Sequence, residues 1–188
     1  MDTRDKILNS AQRLIQTQSF HGFSFQDIAD EVGIRKASLY HYFGSKDQVA
    51  VAVLQRAADW MKARMEKLAP LDPTERLEGF FGIYRTIHGK AERMCPNGSF
   101  AAVFDAVSPQ VQRALYHISQ MHLDWLEGVV RDGVDKGQFK IGGQRPRDVA
   151  MQIMAGVQGA LLMGRLTSDP HVIDLVAVET TRYLSNSH

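Results

Sequence analysis

The stretch from Ser24 to Lys46, SFQDIADEVGIRKASLYHYFGSK, constrains this chain more than any other. Ser24 can accept from the backbone N–H groups of a first helical turn, and Asp27 three residues on completes a capping box. Phe25, Ile28, Ala29 and Val32 follow at i, i+3, i+4 and i+7, the spacing of one helical face. Gly33 is a stop, because glycine enters the left-handed region without steric cost. A second short helix begins near Arg35, turns Leu39 and Phe43 inward and ends at Gly44, after which Ser45 and Gln48 cap a third. Two short helices around a glycine turn describe a helix-turn-helix. Ala29, four residues before the turn, leaves room for the helices to cross closely.

The outward face of the second helix carries donors. Arg35, Lys36 and Lys46 are its basic residues, and no acid interrupts the run from Gly33 to Lys46. Ser38, Tyr40, His41 and Tyr42 lie between them and can bond phosphates or base edges. A short helix with such a face suits a DNA major groove. By charge alone, a solvated face of a structural hairpin explains the same residues. The run DIADEVGIRKASLYHYFGSK, however, resembles the DNA-binding signature of TetR/AcrR-type transcriptional regulators. Leu39-Tyr40, Tyr42-Phe43 and Lys46 stand in that family's pattern. The resemblance implies DNA contacts from Ser24, Arg35, Lys36, Ala37, Ser38, Tyr40, His41, Tyr42 and Lys46. At Arg35 and Ala37 the chain departs from the small hydroxyl residues and glycine frequent in the family.

Composition sets the bounds. The chain has 188 residues, 44% hydrophobic and 23% charged, enough for one large or two small domains with a buried core. Its net charge of +1 gives no global sign of nucleic acid, so a DNA reading rests on the local patch. The single cysteine, Cys95, excludes an intrachain disulfide and suggests a reducing compartment. MDTRDKIL lacks a secretory apolar core, and the stretch from Val149 to Met163 reads as too short and too polar to span a bilayer. A cytoplasmic protein with no membrane partner is the expectation.

Periodicity elsewhere is helical. Thr3 to Thr17 shows Ile7, Leu8, Ala11, Leu14 and Ile15 on one face, with Arg4 a candidate phosphate contact at its start. Phe20 and Phe23 flank Gly22 and are expected to plug the core beneath the hairpin. A long helix from Ser45 to Leu68 buries Ala50, Val53, Leu54, Ala57, Met61 and Leu68, then meets Pro70 and Pro73. As the connector between domains, its tilt would move the recognition helix. Leu77, Phe80, Phe81, Tyr84, Ile87 and His88 form the next stripe, and Phe100 and Phe104 share a short helix. Ser108-Pro109 opens a helix presenting Val111, Leu115, Ile118, His122, Trp125 and Val129. Gly133, Gly137, Gly142 and Gly143 read as a loop; Pro146 begins another helix and Asp169-Pro170 the last. The fold is all-α, about nine helices: an N-terminal helix-turn-helix domain, 1–47, and a C-terminal helical domain, 48–188.

Three further expectations concern the larger domain. Gly156, Ala160 and Gly164 recur every four residues as a ridge without bulk, which serves either a helix–helix interface or internal packing. The resemblance implies a homodimer built by the last two helices, which adds Val172, Val176 and Thr180 to the interface. It also implies a small-molecule effector, for which Phe81, Tyr84, His88, Cys95, Phe100, Phe104, His122, Trp125, Met154 and Gln158 are candidates. Ordinary core packing explains each of these singly. Cys95, ahead of a helix start and near Arg93, reads either as a reactive thiol or as a small buried hydrophobe. Some regulators of the resembled type sense electrophiles or oxidants through such a cysteine.

Enzyme motifs are missing: there is no G-x-S-x-G, H-E-x-x-H, P-loop or G-x-G-x-x-G. No histidine spacing suggests a metal, and no cofactor is implied. The expected function is a dimeric transcriptional repressor at a near-palindromic operator, released by an effector. A thiol-sensing repressor or a helical adaptor without DNA binding are the alternatives.

Overall fold

The computed structural model describes residues 2–89, 91–101 and 103–185, and among these it contains nine α-helices and no strand. The chain divides into two compact units. The first takes Met1–Trp60 with Cys95–Ile118, and the second Met61–Met94 with Ser119–His188. The expected division at 47/48 follows the motif, whereas these units follow compactness and cut the chain elsewhere.

The first unit begins with α1 (Thr3–Gln18), capped by Asp2, whose carboxylate accepts the Asp5 N–H at 2.7 Å. α2 (Phe25–Val32) carries the expected capping box: Asp27 N–H donates to Ser24 Oγ at 3.3 Å, and Ser24 N–H donates to Asp27 at 2.6 Å. Gly33 ends it at φ 75°, its N–H bonded to the Ala29 carbonyl at 2.9 Å. α3 (Lys36–Tyr42) is capped by Phe43, one residue before the expected Gly44, because Phe43 is extended (φ −144°) and turns its ring into the core. α4 (Lys46–Leu68) starts with the Gln48 N–H on Ser45 Oγ at 3.2 Å.

The core of this unit joins Ile7, Leu8, Ala11, Leu14 and Ile15 of α1 to Ile28, Ala29, Leu39, Phe43, Val53 and Leu54. Phe20 and Phe23 plug it as expected. The returning segment contributes α6 (Pro96–Ala101), which packs on α1, and the start of α7 (Pro109–Asp135). Phe100 sits 5.3 Å from Phe20, ring to ring, and Val107, Val111 and Leu115 complete the cluster. Phe104 leaves the expected helix for a 3-10 turn, Phe104–Ala106, and is exposed.

The second unit contains α5 (Pro73–His88), opened by a reciprocal cap between Asp72 and Glu75, with α8 (Pro146–Thr167) and α9 (Val172–Ser185). α5 buries Leu77, Phe80, Phe81, Tyr84 and His88; Ile83 is buried too, while the expected Ile87 is half-buried. α4 buries Val49, Ala50, Val53, Leu54 and Ala58 in the first unit and Met61 and Met65 in the second, while the expected Ala57 and Leu68 are half-buried. Gly133 lies inside α7 rather than in a loop, because Phe139 folds back onto its bare backbone. α8 is 22 residues long, and its length and composition are enough to cross a membrane, contrary to the sequence expectation. Val149, Ile153, Val157, Ala160 and Leu161 are buried within its unit, the pattern of a core helix.

Candidate nucleic-acid interface

Within the first unit, α3 is held by one fully buried side chain, Leu39, and by Tyr40, whose ring lies 5.0 Å from Phe25. With Leu39 inward, Arg35, Lys36, Ala37, Tyr40, His41 and Tyr42 are all exposed and Ser38 is half-buried. These residues therefore share the accessible surface of one short helix. Ser24 is exposed, but its hydroxyl donates to the Asp27 carboxylate at 2.9 Å as part of the cap. Its N–H and hydroxyl bonds hold the Asp27 carboxyl below the usual aspartate range.

Lys46 is placed differently from the rest. Its ammonium donates to the Phe23 carbonyl and lies 4.6 Å and 4.1 Å from the ring centroids of Phe20 and Phe23. Desolvation lowers its pKa from the usual lysine value. Arg4, the other candidate from outside the hairpin, stands over Phe43 at 5.3 Å.

Two polar clamps that periodicity does not reveal hold the α2–α3 hairpin's support. Arg13 donates to Glu31 at 2.6 and 2.9 Å, and Ser10 adds a bond to Glu31 at 2.7 Å, tying α1 to α2. The Arg13 bond leads the effects that keep the Glu31 carboxyl below its usual range. Arg56 ties α4 to α1 through the Leu8 carbonyl, Asn9 and Gln12. Their partners lie 18 to 48 residues apart, so no local pattern announces them.

The effector candidates are drawn from both units. Cys95, Phe100 and Phe104 belong to the first unit, and Phe81, Tyr84, His88, His122, Trp125, Met154 and Gln158 to the second. Cys95 is buried, and its Sγ accepts the Gly98 N–H at 3.1 Å. In the second unit Phe80 stacks on Trp125 at 5.6 Å and meets Tyr84 at 5.0 Å. Tyr84 lies 6.3 Å from His122, and its hydroxyl points to Met154 Sδ at 3.9 Å. His88 is buried, with Nδ1 3.1 Å from the Arg93 carbonyl and, among the described residues, no hydrogen bond at Nε2. Gln158 is half-buried. A separate cleft of about 260 Å³ opens between the first half of α8 and the second half of α9, lined by Ile153, Thr180 and Tyr183 among others.

The small-residue ridge of α8 meets neighbours within its own unit. Ala160 is 2% exposed, and a Cβ on Gly156 would meet Val176 at 3.1 Å. A Cβ on Gly164 would lie 2.6 Å from His88 Nε2. The ridge is small because its own unit packs against it. Val172, Val176 and Thr180 are half-buried. The exposed apolar side chains of these helices are instead Met151, Leu162, Met163 and Leu166 on α8 and Leu175 and Val178 on α9.

A glycine turn, a helix pinned by a buried leucine and a basic outer face define a helix-turn-helix transcriptional regulator. Residues 7–53 match the model for bacterial regulatory proteins of the tetR family, and residues 73–178 match the tetracyclin repressor-like C-terminal domain. The chain belongs to the TetR family. It is 25% identical over 178 residues to an uncharacterized HTH-type transcriptional regulator of Lactococcus lactis, covering 92% of this chain and 88% of that one. Over 80 residues it is 35% identical to the HTH-type transcriptional repressor KstR2 of Mycolicibacterium smegmatis, covering 42% of this chain and 39% of the relative. A TetR-family regulator from Agrobacterium tumefaciens superposes with a TM-score of 0.93 at 26% identity, covering 98% of both chains. These relatives are regulators, and the chain is not an enzyme.

Proposed function

We propose that the chain is a transcriptional repressor that binds a near-palindromic double-stranded DNA operator as a homodimer and is released by a small-molecule effector. The observation that carries this reading is the face of α3, where Arg35, Lys36, Tyr40, His41 and Tyr42 are exposed together and no acid intervenes. Arginine and lysine there bond phosphate or guanine edges, and the two tyrosines and the histidine supply further donors. DNA reading is assigned to 1–47, with 95–118 as packing support, and effector binding and dimerisation to 48–188.

Support for a homodimer comes from the apolar side chains that α8 and α9 leave exposed, since patches of that kind mark interaction surfaces. Two copies related by a two-fold axis would offer two α3 helices to two half-sites about 34 Å apart. Support for an effector comes from the cluster of buried Phe80, Tyr84, His122 and Met154 with half-buried Trp125. α4 starts in the unit that holds α3 and ends in the unit that holds this cluster. A ligand acts only through its differential affinity for the binding and non-binding states.

The test is enrichment of duplexes from random-sequence DNA by the full chain, expected to return an inverted repeat. Arg35→Ala and Lys36→Ala should weaken binding to the enriched duplex with the fold intact. If Lys36 contacts phosphate, its loss should lower the salt slope by about 1. Enrichment of no sequence, or wild-type binding by both variants, refutes the reading.

A further inference from the structure

α3 has seven residues, and its N-cap is Arg35, whose side chain makes no hydrogen bond to the helix. Serine, threonine, aspartate or asparagine at that position would satisfy a free N–H of the first turn. Asp2, Ser24, Ser45 and Asp72 supply such a bond to α1, α2, α4 and α5. Arginine supplies none to α3, although a helix this short has few internal bonds to offset its nucleation. Arg145 stands at the same position of α8, but there Asp148 binds the guanidinium at 2.7 and 2.8 Å. A residue that breaks a local rule without a compensating contact points to a functional demand on its side chain.

The backbone that carries Arg35 is fixed on both sides. Ahead of it, the Gly33 and Ile34 N–H groups donate to the Ala29 carbonyl at 2.9 and 3.0 Å. Behind it, the Ser38 and Leu39 N–H groups donate to the Arg35 carbonyl at 2.8 and 3.3 Å. The side chain itself is exposed and, among the described residues, has no hydrogen bond or ion pair. In the same unit Arg13 is held by Glu31, and Arg56 by Leu8, Asn9 and Gln12. Residues at the start of the second helix of a helix-turn-helix meet base edges in the major groove. A guanidinium there pairs with guanine O6 and N7 together, and its planar fork loses little freedom in doing so. Ala37, two residues on, is exposed and adds only a methyl group, so little bulk separates the start of α3 from a base edge.

We infer that Arg35 reads a base, and that the operator carries a guanine opposite it in each half-site. The inference rests on the reading of α3 as the DNA-binding helix and names what the start of that helix recognises. Two N–H groups of the guanidinium donate to O6 and N7 of the guanine. Loss of the side chain then relaxes one base position, whereas loss of a phosphate ligand weakens every sequence alike.

Two substitutions separate the roles. Arg35→Ser removes the fork and supplies the missing cap, and Arg35→Gln exchanges the fork for an amide that pairs with adenine N6 and N7. Duplexes are enriched from random-sequence DNA by the full chain and by each variant, and the wild-type duplex is titrated across a salt series. Wild type should return an inverted repeat with guanine at one fixed position of each half-site. Arg35→Ser should lose the preference at that position alone, and Arg35→Gln should return adenine there. On the guanine duplex Arg35→Ser should bind about tenfold to a hundredfold more weakly, with the wild-type salt slope and no loss of melting temperature. Unchanged preferences in both variants, with affinity lowered on all sequences and the slope reduced by about 1, would make Arg35 a phosphate ligand and overturn the inference. Wild-type affinity and preferences in both variants overturn it too. If Arg35→Ser melts below wild type, the guanine-to-adenine exchange in Arg35→Gln decides alone. An inverted repeat for wild type that neither variant alters sinks only the assignment of Arg35. If wild type enriches no sequence, the reading of α3 fails and this inference falls with it.

Discussion

Replacing Gly164 with alanine should destabilise the second unit without acting on subunit association directly. The new Cβ would stand 2.6 Å from His88 Nε2 and 2.7 Å from the Asp169 carbonyl oxygen, both well inside van der Waals contact. Neither neighbour yields easily. His88 is 1% exposed with its other nitrogen 3.1 Å from the Arg93 carbonyl, and the Asp169 N–H is bonded to the Gly164 carbonyl at 2.9 Å. Overpacking of this kind costs about 1–3 kcal/mol. Alanine's greater helix propensity returns about 0.8–1 kcal/mol of that. The net loss is roughly 0–2 kcal/mol, and at ~2–4 °C per kcal/mol the melting temperature should fall by up to about 8 °C. Thermal unfolding followed by far-UV circular dichroism reads this, with sedimentation velocity on the same samples. Leu166→Glu supplies the contrast, because Leu166 is 70% exposed and its loss should favour monomers while leaving each subunit folded. A Gly164→Ala protein that melts like wild type yet dissociates would return the small-residue ridge to the subunit interface.

The Arg13–Glu31 clamp predicts a pH effect on stability. Glu31 has a depressed pKa in the folded chain, so its contribution is present above the unfolded glutamate pKa and is lost as pH falls through the folded value. Both side chains are more than a third exposed, so Glu31→Gln should cost less than about 1 kcal/mol near neutral pH and nothing in strong acid. Urea unfolding at several pH values checks it, and a pH-independent difference contradicts it. Cys95 should react with a thiol reagent only as the protein unfolds, since the side chain is buried and its sulfur accepts a backbone N–H. Rapid labelling of the native chain would revive a sensor role. Ser168 ends α8 in the left-handed region at φ 55°, so Ser168→Gly should raise stability by up to ~1 kcal/mol, measured by chemical denaturation.

Much of the helical architecture is legible without coordinates because its signals are local. The Ser24/Asp27 cap, the Gly33 stop, the inward pair Leu39 and Phe43 and the proline-started α7 and α8 each depend on neighbours a few residues away. Backbone dihedrals and i to i+4 hydrogen bonds operate at that range, so residue type and spacing suffice to announce them. The exposed basic face of α3 follows from the same periodicity once Leu39 is assigned inward. Partners distant in the chain carry no such signal. Lys46 counted as one more basic residue until the fold brought Phe20 and Phe23 beneath it. Spacing does not tell which unit an aromatic side chain joins: the return of 95–118 gives Phe100 to the core beneath the hairpin, whereas Tyr84 and Trp125 belong to the second unit. Gly156, Ala160 and Gly164 declare a close approach and not what approaches; only tertiary packing could decide that it is Val176 and His88 of the same chain. A residue's lack of bulk is a local property, whereas the surface that fills the space is set by which elements the whole chain brings together.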